Sequence, residues 1–539
     1  MVPNGRDRRS FTELDSLTRR RFLTAAGGGA AGLAFTLGLP ATTAGATPER
    51  GRREYPFTLG VASGDPLPDG VVLWTRIAPR PLEPHGGLNP NETVAVTWEV
   101  ASDERFARVV RRGSALARSA YSFSVHVDVR GLRPGRHYWY RFMAHGHASE
   151  VARTRTAPAD SAVEPMRFAF ASCMNYRAGY FQVMRDMADQ DPDAVFFLGD
   201  YIYEYPVVQL PTGRQLPDLP PEVVPETVTL EQYRLRHALY KSQPEVIAAH
   251  RFTPWVMMWD DHEVSNDYRR DTEAELLRQA AGYRAYWEHM PLRQPQRPVG
   301  PSARLHRRLR HGAMAQFDML DARQFRTPEL ASGTIPDSPQ RRDPARTILG
   351  EEQESWFARG LGAEPARWNI APQGVLMAVV NTANTTQGPP PPTYSSGNWD
   401  GYQASQQRLL DAVSAARDAE RLRNFVVLTG DVHCGYVSNL LSDTTDLGSP
   451  SVGTEFTSLS VSSAQDFDPV ANERRQVRTV VNPHMRWADL HCGYVMVDLD
   501  TERMAVEFRA VDKVSRPEDP VYPLRRFTVA DGVPEVQPG

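Results

Sequence analysis

Cysteine is scarce in this chain of 539 residues. The three present, Cys173, Cys434 and Cys492, are too few for a disulfide scaffold, even in an oxidising compartment. Cys434 and Cys492 keep two readings, a pair or ordinary buried packing. Long basic runs are missing after the N-terminal segment and the net charge is −4, which removes nucleic acid as an implied partner. There is no acidic tail and no internal repeat. No later apolar run reaches the length of a spanning helix, so no transmembrane anchor is expected. No serine sits in a G-x-S-x-G elbow, so nothing calls for a serine nucleophile.

The N-terminus carries an address. Thr18-Arg19-Arg20-Arg21-Phe22-Leu23 precedes a small-residue, weakly apolar stretch, Thr24 to Leu39, and Ala44-Gly45-Ala46 offers an A-x-A cleavage site. This resembles a twin-arginine signal over residues 1–46, with the mature chain starting near Thr47. The first cysteine is Cys173, so no lipid anchor is expected at the cleavage site. The reading implies the twin-arginine export machinery as a partner. It also implies a protein exported folded, with any metal loaded beforehand, and a soluble monomer in the extracellular, periplasmic or cell-wall space.

Residues 55–156 have β texture. Val94, Val96, Trp98 and Val100 alternate with polar residues, Ser122–Val129 alternates again, and a Leu132-Arg133-Pro134-Gly135 turn precedes a strand over His137–Ala144. Short alternating strands at this spacing predict a small all-β sandwich. A linker is expected over 154–165. From residue 166 to 515 the texture is α/β: a strand at Arg167–Ser172, a helix around Tyr180–Ala188 and a strand at Ala194–Leu198 make a βαβ unit. Residues 516–539 read as a tail. The Pro-rich stretch 204–228 cannot be regular helix or central strand, and reads as a lid, a substrate wall or a solvated insertion.

Four apolar runs lead directly into polar clusters. FAFASC ends at Cys173, VFFLGDYIY carries Asp200 and Tyr203, WVMMWDDHE carries Asp261 and His262, and FVVLTGDVH carries Asp431 and His433. Runs without alternation suggest strands covered on both faces, and ligands of such sheets gather beyond the carboxyl ends. Any one cluster alone is ordinary turn chemistry; the set predicts a metal site. Carboxylates and imidazoles suit hard or borderline cations, and several of them permit more than one ion. Asp200, beside Gly199, is the candidate bridge. Tyr203 and Cys173 point to iron rather than zinc.

These residues carry a family resemblance. Asp200-x-x-Tyr203 after Gly199, Asp261-His262-Glu263 and Gly430-Asp431-Val432-His433 resemble the metallophosphoesterase pattern of purple acid phosphatases. Asp261 stands where that pattern has Asn, and Asp431 where it has a His, exchanges that favour a harder ion such as calcium. The chain is more similar to the PhoD-like alkaline phosphatase and phosphodiesterase family. LGVASGDPLPDGVVLWTRIAP (59–79), GDYIYEY, WDDHEVSND, LDARQFR, LGEEQESWF, TGDVHCG and EFTSLSVSS fall in that family's order.

The resemblance implies a four-layer αββα domain, one Fe3+ with two Ca2+, and release of phosphate from phosphate esters outside the cell. It implies Cys173 and Tyr203 as iron ligands, Asp200 as bridge, and Asp261, Asp431 and His433 as further ligands, with Asp260 or Asn266 as additional contributors. His262 reads as a donor to a substrate oxygen or as a supporting group, and Arg323 and Arg326 as a phosphate grip or as structural ion pairs. The expected reaction is in-line attack on phosphorus by a metal-held oxygen, with Asp200, His262 and Arg323 as the catalytic set. A phospholipase D-like diesterase on the same site, a non-catalytic calcium-binding envelope protein and an iron redox enzyme are the alternatives.

Overall fold

Strands buried on both faces must satisfy two cores at once, and the run Phe425–Thr429 does so residue by residue. Val426 and Leu428 point into one apolar cluster, Phe425 and Val427 into another. In the computed structural model, which describes residues 53–364, 366–383 and 391–539, this strand lies in the second of two large sheets. Its parallel centre is Ala315–Met319, Trp368–Gln373, Phe425–Thr429 and Ser451–Thr457. Antiparallel strands extend it to seven.

The other sheet has ten strands. Its parallel centre is Met166–Ala171, Ala194–Leu198 and Pro254–Met258. The sheets face one another through Phe168, Phe196 and Phe317, with Phe196 and Phe317 stacked at 4.5 Å between ring centroids. Helices Gln182–Asp189, Leu230–Lys241, Pro244–Phe252 and Glu273–His289 pack with the ten-stranded sheet, contributing Met184, Leu239, Val246 and Tyr283 to its core. Glu351–Gly360 and Gln403–Asp418 cover the other sheet with Phe357, Leu410 and Val413. The result is the expected αββα layering.

The N-terminal β region is less separate than its sequence suggests. Thr93–Ala101, Val109–Arg118, His137–Ala144 and Ala152–Arg155 form a sheet of their own with a two-residue strand at His147–Ala148. Val61–Leu67, Gly70–Arg76 and Ser124–Arg130 instead extend the ten-stranded sheet, because Val61–Leu67 pairs in parallel with Pro254–Met258. The two layers share an apolar core of Val71, Leu73, Val96, Val100, Tyr140 and Phe142. One layer of the sandwich is thus part of the ten-stranded sheet, and residues Tyr55–Gly539 form one compact unit.

Two further boundaries are corrected. The linker expected from 154 begins inside the strand Ala152–Arg155. The expected tail 516–539 carries the strands Tyr522–Ala530 and Val536–Pro538, which close the far edge of the ten-stranded sheet; Phe527 and Val529 supply the buried face. The three cysteines are free and buried, so the packing reading of Cys434 and Cys492 holds and the pair does not. The 1–46 signal lies outside the described residues. Among those described, no helix is long and apolar enough to cross a membrane.

The Pro-rich stretch is tied down. Arg236, 1% exposed, donates to the carbonyls of Tyr203 and Tyr205 at one end of it and to that of Pro225, at 2.8 Å, at the other. Val207 and Val223 join the main core. A wall fits this anchoring better than a lid. Arg236→Ala is expected to cost about 3 kcal/mol by orphaning these carbonyls and to raise proteolysis within 206–228, as read by limited digestion; an unchanged digest would contradict the anchoring.

Candidate metal centre

Backbone bends that most residues avoid shape the crest of the sheets. Cys173, Asp200, Asp431 and His433 have φ values of 62°, 57°, 62° and 54°. Such conformations are uncommon outside glycine and persist where the surroundings over-determine them. All lie just past the buried parallel strands ending at Ala171, Leu198 and Thr429. Gly199, at φ 104°, allows the Asp200 turn to touch the segment after the strand Pro254–Met258, since a Cβ there would lie 2.3 Å from Cβ of Asp260. Gly199→Ala is expected to cost about 3 kcal/mol and to displace Asp200. Denaturant unfolding with metal analysis checks this, and wild-type stability would contradict it.

Three sets of side chains bring donor atoms within 4.8 Å of one another: Cys173, Asp200 and His433; Asp200, Asp261 and His262; and Asp260, Asp261 and Asp431. Asp200 and Asp261 belong to two sets each. The Tyr203 hydroxyl donates to Asp200 Oδ2 at 2.9 Å and lies 2.9 Å from His433 Nε2. The Asp200 Oδ1 accepts from the backbone N–H of His262 at 3.3 Å. Asp261 Oδ2 accepts from the Asp267 N–H at 2.6 Å, whereas its Oδ1 is buried without a hydrogen bond. An orphaned carboxylate oxygen among other acids fits a cation, and so does the thiol, phenol, imidazole and carboxylate donor set.

The charges of these side chains do not balance on their own. Burial pushes Asp260 up to about 8 in spite of Arg323, and Asp431 up to about 6. Asp200 is raised well above the carboxylate range by burial, with His262 opposing and Asp261 adding to it. Burial also raises the Cys173 thiol and the Tyr203 hydroxyl, each further opposed in ionising by Asp200. Burial works against a charged His262, yet Asp200, Asp261 and Glu204 raise it well above the ordinary histidine value. Burial and then His262 lower His433 to about 4, so it stays neutral. Burial would raise Asp261 too, but Arg323, His262 and the Asp267 N–H hold it low. Bound cations would replace the protons that the raised groups retain.

A pH dependence follows. Groups whose folded values are raised stabilise the fold fully below their ordinary value, and that contribution disappears as pH rises through the folded one. For Asp260 the window runs from 3.8 to about 8, and Asp431 and Asp200 act in the same direction. Asp261 opposes them with a contribution lost only in acid. Above pH 6.5 the histidines lowered by burial, His433 among them, are neutral in both states and no longer oppose this, so chelator-stripped protein is expected to become less resistant to urea between about pH 6.5 and pH 8, and metal should flatten the trend. Rising resistance over that range would contradict it.

Arg323, with a side chain 2% exposed, lies inside the carboxylates. It donates to Asp260 through Nε at 2.6 Å and Nη2 at 2.9 Å, to Asp431 at 2.6 Å and to Asp267 at 3.2 Å. Here the ion-pair reading describes it. Arg326 pairs with Glu329 at 2.9 Å, also an ion pair. Asn266 sits at the exposed rim, its carbonyl accepting from Tyr205 at 3.2 Å and its amide donating to Asp267 at 3.1 Å.

Three acids escaped the sequence reading of the site. Glu204 Oε2 lies 2.7 Å from His262 Nδ1, and its Oε1 accepts from the Asn266 N–H at 2.8 Å. Glu263 accepts three backbone N–H groups, those of Asp200 at 3.1 Å, Tyr201 at 2.6 Å and Asp260 at 2.8 Å. Asp267 links Asp261 to Arg323. Glu204 and Glu263 directly follow Tyr203 and His262 in sequence, which was the available signal.

Residues 168–508 match the model of a family described as PhoD-like phosphatase, and residues 42–158 that of its N-terminal domain. Alkaline phosphatase D of Bacillus subtilis (strain 168) is 40% identical over 519 residues, 93% of this chain and 86% of the relative. A solved structure of PhoD superposes with a TM-score of 0.82 at 39% identity, covering 90% of this chain and 92% of that one. Purple acid phosphatase PPD1 from yellow lupin (Lupinus luteus) gives a TM-score of 0.52 at 11% identity over 87% of this chain and 73% of its own, a likeness of fold alone.

Proposed function

Because this chain belongs to the PhoD-like phosphatase family and is a phosphoric ester hydrolase, we propose that it acts as a secreted, metal-dependent alkaline phosphatase. Its substrates in this reading are phosphate monoesters, with diesters as a second class, and its role is phosphate acquisition outside the cell. Residues 1–46 are its twin-arginine leader. The observation that carries the reading is the sharing of Asp200 and Asp261 among three ligand sets at one crest.

Cys173, Tyr203, Asp200 and His433 would hold iron, and Asp200, Asp261, Asp431 and Asp260 calcium, with Asn266 at the rim in reserve. Bound there, such ions lower the pKa of water and neutralise charge on a phosphoryl group. His262 then presents Nε2 while Glu204 fixes Nδ1 at 2.7 Å, an arrangement suited to giving a proton to the departing alcohol oxygen. Arg323 anchors on Asp260 and holds Asp431 at 2.6 Å, keeping the carboxylates in register around the reacting centre. Glu263 pins the three amides beneath them.

Elemental analysis of the mature protein, with hydrolysis of a chromogenic monoester and diester with and without chelator, tests the reading. Iron and calcium with chelator-sensitive turnover are expected; calcium alone without turnover would overturn it. Phosphatidylcholine as a third substrate separates the phospholipase D-like alternative. Tyr203→Phe is expected to abolish a visible phenolate-to-iron band, and a band that survives would remove Tyr203 from the iron.

A further inference from the structure

The serine-rich segment Ser458–Ser463 takes no part in the roles above, yet it wraps the turn that carries Cys173. Ser460 Oγ and Ser463 Oγ both donate to the Cys173 carbonyl, at 2.9 and 2.8 Å, and the Ser462 N–H reaches the same oxygen at 3.3 Å. The Val461 N–H donates to the Ser172 carbonyl at 2.9 Å, and Ser462 Oγ to that of Asn175 at 3.0 Å. These bonds brace a cysteine held at φ 62°. Ser463 differs from the rest because its hydroxyl also lies 2.6 Å from the Tyr203 oxygen.

A serine hydroxyl has one proton to give and can turn it. While Tyr203 keeps its own proton, Asp200 Oδ2 accepts that proton at 2.9 Å and Ser463 can serve the Cys173 carbonyl. Where Tyr203 is a phenolate ligand, its oxygen can only accept. Asp200 is then no donor either, and Ser463 is the neighbouring hydroxyl able to supply a hydrogen bond.

We propose that Ser463 is a positioning residue of the metal centre, whose hydroxyl hydrogen-bonds to the Tyr203 phenolate oxygen, fixes its approach to iron and draws electron density from it. The proposal rests on the reading of Tyr203 as an iron ligand. Outer partners of this kind orient ligands and tune the metal they serve. A phenolate deprived of its donor gives electrons more easily, so its transition to iron falls in energy.

The test compares absorption spectra and iron content of the iron-loaded wild type, S463A, S463T and S460A. S463A is expected to move the phenolate-to-iron band to longer wavelength at an unchanged iron-to-protein ratio, and S463T to restore it. S460A, which loses a bond to the Cys173 carbonyl and the acceptor of the Ser463 N–H at 2.6 Å but no bond to Tyr203, should move the band less than S463A does. If S463A does not accumulate as folded protein, S463C, with a weaker donor, should shift the band in the same direction by less. A band unmoved in the serine variants, or moved equally by S460A, overturns the proposal while Tyr203 stays an iron ligand. A wild type without the band, or a band that survives Tyr203→Phe, overturns the ligand reading and the proposal with it.

Discussion

Replacing Asp200 with Asn is expected to lower kcat/KM for a phosphomonoester on the order of 10³-fold or more and to release metal. The substitution preserves shape but not chemistry. Asp200 Oδ2 accepts from Tyr203 at 2.9 Å and Oδ1 from the His262 N–H at 3.3 Å, so an amide nitrogen in either place meets a donor. Both ligand sets that share Asp200 also lose a negative charge. Metal content by elemental analysis beside steady-state kinetics checks the result. A variant with full activity and full metal would sink the proposed mechanism.

Glu263→Ala should be the most destabilising single exchange near the site. Glu263 is fully buried, and its carboxylate satisfies the N–H groups of Asp200, Tyr201 and Asp260. Each donor left unpaired costs about 1–3 kcal/mol, giving an expected loss of about 3–5 kcal/mol once partial relaxation is allowed. Glu263→Gln should fall between, because one amide oxygen still accepts while the NH2 opposes backbone donors. Denaturant unfolding of the three proteins measures the order. Equal stability of Glu263→Ala and wild type would show that the crest turns hold without this carboxylate.

The central strands and the ligand crest were legible because unbroken apolar runs signal burial on both faces, as in FVVLTGDVH, and because each run stops at chemistry-bearing residues. Alternation placed the strand His137–Ala144 with its observed bounds. What sequence could not give is which sheet a strand joins. Val61–Leu67 and Thr93–Ala101 lie in the same β-textured region, yet one pairs with Pro254 and Trp255 and the other with the strand Val109–Arg118. The strand Tyr522–Ala530 was hidden by Pro523 and by charged residues such as Arg525 and Arg526, which lie in the half that Val536–Pro538 leaves uncovered and so behave as edge positions. In the site, residue types were readable but partnerships were not. Arg323 read equally as a phosphate grip or an ion pair, and only the fold brings it against Asp260, Asp267 and Asp431.

Sheet order also bears on when the enzyme can come into being. The strand Met166–Ala171, which leads into Cys173, lies between Ala194–Leu198 and Cys492–Leu499. One neighbour is made soon after it and the other only after residues 199–491 have been added. Ser460 and Ser463, which brace the Cys173 turn, also arrive late. Until those serines have emerged from the ribosome the Cys173 turn lacks its brace, and the crest at which metal is proposed to bind stays incomplete.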